Sequence, residues 1–187
     1  MAVMARGANV ALAREVPDLT ALVLGIDWDA GAENVLDENL VVATLLCDSS
    51  SRALSDQHFV FFNQLQSPDE SVTARAERLG PDEEQVEIAL DRVPAEVMRI
   101  VIALYINDGS PQRRTLGQLR KCVIRVLNAA DRRELVRSED LAVTGATETA
   151  MTLGEVYRHQ GDWKFKVLGD AYSRGIQALV ADFGLTL

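Results

Sequence analysis

Acidic side chains in turn-rich stretches are the residues of this 187-residue chain whose types and spacing suit chemistry. Asp27, Asp29, Asp37 and Glu38 fall within twelve residues, Asp82-Glu83-Glu84 form a second group, and Asp108 is a third point. Hard cations such as calcium take about six to eight oxygen ligands, mostly carboxylates and carbonyls that converge from loops. Solvated loop charge is the other account of the same residues, because 28 acids against 19 bases give a formal net charge of −9. That charge disfavours a nucleic-acid partner, whose backbone needs Lys and Arg to displace counterions.

Other chemistries lack their residues. His58 and His159 are the only imidazoles, and no Gly-X-Ser-X-Gly nucleophile turn accompanies them. No Gly-X4-Gly-Lys-Ser/Thr phosphate loop or Gly-X-Gly-X-X-Gly turn occurs. Two Cys and two His stand without zinc-ligand spacing. The expectation is a protein that is not an enzyme.

The elements that must position the acids are short. Apolar runs at 9–13, 20–26, 40–47, 58–62, 85–90, 97–106, 121–127, 155–159 and 163–168 arrive at close intervals with turn residues between them. This rhythm predicts a mainly β chain, an antiparallel β-sandwich with short helical turns. In 85–90, Val86, Ile88 and Leu90 point inward while Gln85 and Glu87 face water. Residues 67–84 and 107–118 read as long loops, and 132–140 leaves a strand edge and a short helix open. From 154 onward the chain reads as strand, turn at Gln160-Gly161-Asp162, and strand with Trp163, Phe165 and Val167 on one face. One amphipathic C-terminal helix follows over 170–183, with Tyr172, Ile176, Leu179, Val180 and Phe183 as its stripe and Gly184 at its end.

One domain, 1–187, accommodates this length. No run approaches the ~18 consecutive apolar residues of a membrane span, and Arg6, Arg14 and Glu15 interrupt any apolar signal core. Cytoplasmic residence is the expectation, with Cys47 and Cys122 as buried, reduced thiols.

Several pieces, in order over the chain, resemble the tellurium-resistance TerD family. Arg6 through Leu12 is similar to that family's Lys-Gly-Gly-Asn-Val-Ser-Leu, and Gly25 through Asp29 to its Gly-Leu-Gly-Trp-Asp. The segment 55–71, SDQHFVFFNQLQSPDES, is the densest match, and 154–159 with 163–165 is similar to Gly-Glu-Leu-Tyr-Arg-His and Trp-Lys-Phe. The resemblance implies a calcium-binding β-sandwich active in tellurite and general stress resistance. It implies other stress-response proteins as partners and peripheral association with bacterial membrane complexes. It also implies a calcium ligand set of Asp29, Asp82, Glu83 and Asp108, with Asn39 and Asn63 as neutral oxygen donors.

The chain departs from the family at metal-ligand positions. The family's Asp-Leu-Asp-Ala-Ser falls on Asn39-Leu40-Val41-Val42-Ala43, where Asn39 has lost the charge and Val41 cannot ligate. The loop before Gln85 lacks an Asp-Asn pair and adds Arg78. Fewer or weaker calcium sites are expected. A metal-free paralogue acting as an interaction module is the rival expectation.

Overall fold

The structure, a computed structural model, describes residues 2–75, 80–107 and 113–187. Two sheets face each other. The first runs in the order β1 (Ala2–Met4), β10 (Glu134–Ser138), β9 (Lys121–Asn128), β3 (Ala21–Asp29), β7 (Glu84–Ala89) and β6 (Val72–Ala74). The second runs β2 (Asn9–Ala11), β12 (Asp162–Val167), β11 (Ala150–His159), β8 (Arg99–Ile106), β4 (Leu40–Cys47) and β5 (Phe59–Val60), with β13 (Ala171–Tyr172) also on β11. Neighbours are antiparallel except β1 and β10, which are parallel. Three helices complete the described chain: α1 (Leu12–Glu15), α2 (Asn34–Asn39) and α3 (Gly175–Asp182). The mainly β expectation holds, and none of these helices is long and apolar enough to cross a membrane.

Side-chain alternation builds the core between the sheets. Leu22, Leu24 and Ile26 of β3 and Val86 and Ile88 of β7 meet Ile100, Ile102 and Leu104 of β8 there. The intervening Val101, Ala103 and Tyr105 face the other way, against Ile176, Leu179, Val180 and Phe183 of α3. β4 is split in the same manner, so the apolar runs LVVATLLC and RIVIALYI are strands buried on both faces. Cys47 lies under α3 and Cys122 between the sheets, both free. Burial pushes both thiols up to about 12.

The β11–β12 hairpin closes as its sequence asks. His159 pairs with Asp162, and Gln160 and Gly161 between them take φ of 51° and 83°, the left-handed pair that a two-residue turn requires. The buried Gly154 leaves room for Phe165, whose ring would lie 2.9 Å from an added Cβ.

Three local expectations are corrected, and one left open is resolved. The C-terminal helix starts at Gly175 rather than 170, because Ala171 and Tyr172 pair with Met151 and Ala150, a stretch of β11 that β12 leaves uncovered. Residues 67–84 contain β6 rather than loop alone, whereas 132–140, left open between strand edge and helix, contains the strand β10. Gln85 is 2% exposed instead of facing water, because the segment before it folds back across the sheet.

Facing has a measurable consequence. Phe165→Ala should cost about 3–5 kcal/mol in urea unfolding, as core aromatics do. Lys164→Ala, on the opposite face, should cost under about 0.5 kcal/mol. Equal costs would mean the hairpin is turned over.

Candidate metal-binding loops at one end of the sandwich

The chain leaves β3 at Asp29, passes through α2 and enters β4 at Leu40, so Asp29, Asp37, Glu38 and Asn39 gather at one end of the sandwich. β7 begins at Glu84 beside Ile26, and β8 ends at Ile106 beside Leu40. These registers bring residues 80–83 and Asn107 to the same end, where Asn107 N donates to Asn39 O at 2.8 Å. A cleft of about 400 Å³ opens there between the sheets, with Val42, Val60 and Val86 inside and Glu38, Asn39 and Asn107 among its polar lining.

Asp82 is the most constrained acid of this end. Its side chain is fully buried, and Arg125 grips it with both arms, Nε to Oδ1 at 2.7 Å and Nη2 to Oδ2 at 2.8 Å. Gln85 Nε2 adds a third hydrogen bond to Oδ2 at 2.7 Å. The carboxylate lies directly on Gly25, where a Cβ would stand 2.1 Å from Oδ2. Arg125 also reaches to 3.5 Å from Glu134, which Arg137 holds at 2.7 Å. The hydrogen bond to Asp82 pushes the Arg125 guanidinium further above its ordinary value.

The remaining acids are engaged one at a time. Asp29 Oδ1 accepts from Gly31 N at 2.7 Å. Asp27 pairs with Lys121 at 2.5 Å, and Asp37 accepts from Trp28 Nε1 at 2.8 Å. Asn39 gives its amide to Val35 O at 2.8 Å. Glu83 is half-buried, with its backbone N–H on Ile26 O at 2.8 Å. Asn63 is exposed in the turn closed by Phe61 and Gln64, and Asp108 lies outside the described residues. Of the expected ligands, Asn39 lines the cleft, whereas Asp29, Asn63, Asp82 and Glu83 do not. Val41 packs beside the apolar layer under α3. Among the described residues no three of His, Cys, Asp and Glu are grouped to hold a metal. Of the described acids at this end, Asp82 is the one already held by a guanidinium.

A second polar cluster, not anticipated from sequence, occupies 55–71. Ser55 Oγ caps the turn Asp56–His58 and lies 2.7 Å from His58 Nδ1, while His58 Nε2 is 4.0 Å from Asp69. Asp69 Oδ1 accepts from Ser67 Oγ, Ser71 N and Ser71 Oγ at 2.7, 2.8 and 2.5 Å. Burial alone would raise the Asp69 carboxyl, but the Ser71 and Ser67 hydrogen bonds and the His58 charge outweigh it and hold the carboxyl below its ordinary value. The signal in the sequence was Ser-X-Asp-X-Ser at 67–71, a turn in which one carboxylate ties down its neighbours.

Residues 1–183 match the family model of the TerD domain. The chain belongs to the TerD family. It is 36% identical to "Tellurium resistance protein TerD" of Serratia marcescens, over 97% of this chain and 96% of that relative. It is 33% identical to "General stress protein 16U" of Bacillus subtilis (strain 168), with the same coverage of each. A crystal structure of a homologue of telluride resistance protein TerD from Streptomyces coelicolor A3(2) shares the fold. Its TM-score is 0.66 at 18% identity, over 90% of this chain and 99% of that one. In this TerD chain, the His58–Asp69 clip lies within 55–71, the segment whose residues carried the resemblance most densely.

Two outcomes follow. Arg125→Met should cost about 3–5 kcal/mol, because it strands a buried carboxylate, and adding Asp82→Leu should recover much of the loss in urea melts. The depressed Asp69 carboxyl contributes stability that is full above the ordinary aspartate range and is lost as pH falls through the folded value. Asp69→Asn should therefore flatten the acid limb of a melting-midpoint profile, and an unchanged limb would remove Asp69 from the account.

Proposed function

We propose that this chain is a non-enzymatic, cytoplasmic stress-response protein of the tellurium-resistance kind that binds calcium weakly and at few sites. Relatives over nearly its whole length carry tellurium-resistance and general-stress names. The imidazoles support a non-catalytic reading: His58 is engaged by Ser55 and stands near Asp69, and His159 is exposed. The observation that carries the weakened calcium reading is the bidentate capture of Asp82 by Arg125 at the end where the acids gather. Asp29, Glu83, Asp108 and the neutral oxygens of Asn39 and Asn63 are the donors left to a cation, with other stress-response proteins and membrane-associated complexes as partners.

The same capture favours a second reading, a metal-free interaction module in which the guanidinium supplies the positive charge. Phe62 and Leu65, 53% and 54% exposed beside the acidic cleft, offer such a module apolar contact.

Thermal melts with calcium, magnesium or chelator separate the two. Calcium should raise the midpoint, by the equivalent of about 2.7 kcal/mol at a hundredfold excess over Kd. Magnesium should substitute poorly, because it demands a tight octahedron and gives up water reluctantly. Glu83→Ala and Asp108→Ala should each abolish the rise, and Asp69→Ala should not. An unchanged midpoint in all three conditions, with no heat of binding, leaves the metal-free module.

A further inference from the structure

The outer face of the first sheet carries another cleft, of about 270 Å³, close to the ~300 Å³ lower end of small-molecule sites. Its floor is apolar, with Val23 of β3 and Leu127 of β9 beside Pro81 and Ala129. Its charged lining, among the described residues, is Arg75, Arg125 and Arg132, with no carboxylate. In a chain of net charge −9 this is a local reversal of sign.

Two of the three guanidiniums are answered at the sides of the cleft. Arg75 pairs with Glu87 at 2.7 Å, and Arg125 with Asp82 and Glu134. The Arg132 side chain is exposed and makes no hydrogen bond or ion pair among the described residues. Its backbone is the second observation. Arg132 sits at φ 63° in the β9–β10 turn, which Asn128 N to Arg133 O closes at 2.9 Å and Arg132 N to Asn128 O at 2.8 Å. Glycine or asparagine takes that conformation readily, whereas a long side chain is strained in it. Strained residues of this kind concentrate where they serve a ligand, and here the strain holds an unanswered cation at the mouth of an apolar cleft.

We propose that this cleft binds a small amphipathic organic anion. Its apolar body lies on Val23, Leu127 and Pro81, and its carboxylate receives the Arg132 guanidinium, whose planar fork matches a two-oxygen acceptor. Arg75 and Arg125 supply the surrounding positive field. The volume suits one or two rings or a short chain rather than a polymer. The site does not rest on the calcium reading.

Calorimetric titration of the full chain with 2-naphthoate and with its neutral counterpart 2-naphthamide tests this. The acid should fill one saturable site, and the amide should bind about tenfold or more weaker, the loss of one charge-assisted contact. Arg132→Gly should weaken naphthoate by a similar factor while the melting midpoint holds or rises, since glycine fits the turn without strain. A structural role for Arg132 would instead lower that midpoint. Ala129→Phe, which fills the cleft, should remove binding, and calcium or chelator should change none of these results. Equal affinity for acid and amide, undiminished binding by Arg132→Gly, or no heat from millimolar naphthoate overturns the proposal.

Discussion

A carboxylate withdrawn from water has to be answered by a cation and hydrogen bonds, and Asp82 imposes that demand on three adjacent strands. Gly25 on β3 is paired across the sheet with Gln85 of β7 on one side and Arg125 of β9 on the other. Asp82 lies over this row, accepting from both flanking side chains while the bare glycine makes the space beneath it. Each of the three is fixed by the same carboxylate. Arg125 projects outward between the core residues Ile124 and Val126, Gln85 is covered although its strand position faces away from the core, and Gly25 admits no side chain.

That arrangement couples the acidic end of the sandwich to the outer cleft of the first sheet. By pinning residues 80–83 to the sheet, the Asp82–Arg125 pair occupies the acid that burial would otherwise make the most valuable to a cation. It also stands Arg125 at the wall of the outer cleft, next to the apolar Val23 and Leu127. The second sheet tolerates this polar construction on its neighbour because it is anchored independently. β4 and β8 are buried on one side by the first sheet and on the other by α3.

The parts of the fold legible in sequence were those governed by local pattern. Residues 40–47 formed a strand at their predicted bounds, Val86 and Ile88 turned inward, and Gln160-Gly161 made the hairpin turn. What escaped were features fixed from outside. β1, β6 and β13 are two or three residues long and exist because a neighbouring strand offers free backbone groups. Gln85 alternates as a surface residue should, and only the returning 80–83 segment buries it. The candidate site was legible as an acidic gathering of loops, since Asp29, Asn39 and Glu83 do come to one end of the sandwich. Their partners were not: Arg125 is separated from Asp82 by 43 residues, and no period or spacing links the two.

The chemistry of the acidic end turns on competition rather than on the number of acids. Asp27, Asp29, Asp37 and Asp82 are each satisfied by a different donor: an ammonium, a backbone N–H, an indole and a guanidinium. Replacing an exposed partner such as Lys121 costs a cation little, because that pair is worth little in water. Replacing Arg125 is another matter. The displaced guanidinium would keep Glu134 at 3.5 Å, which Arg137 already shares, and Gln85 would have to be satisfied anew beneath the loop. A divalent ion drawing on Asp82 must therefore bear the cost of a buried arginine left half-answered. A cation drawing instead on Glu83 and on the oxygens of Asp29 and Asn39 would leave the row at Gly25 intact, which is why the proposed calcium ligands exclude Asp82.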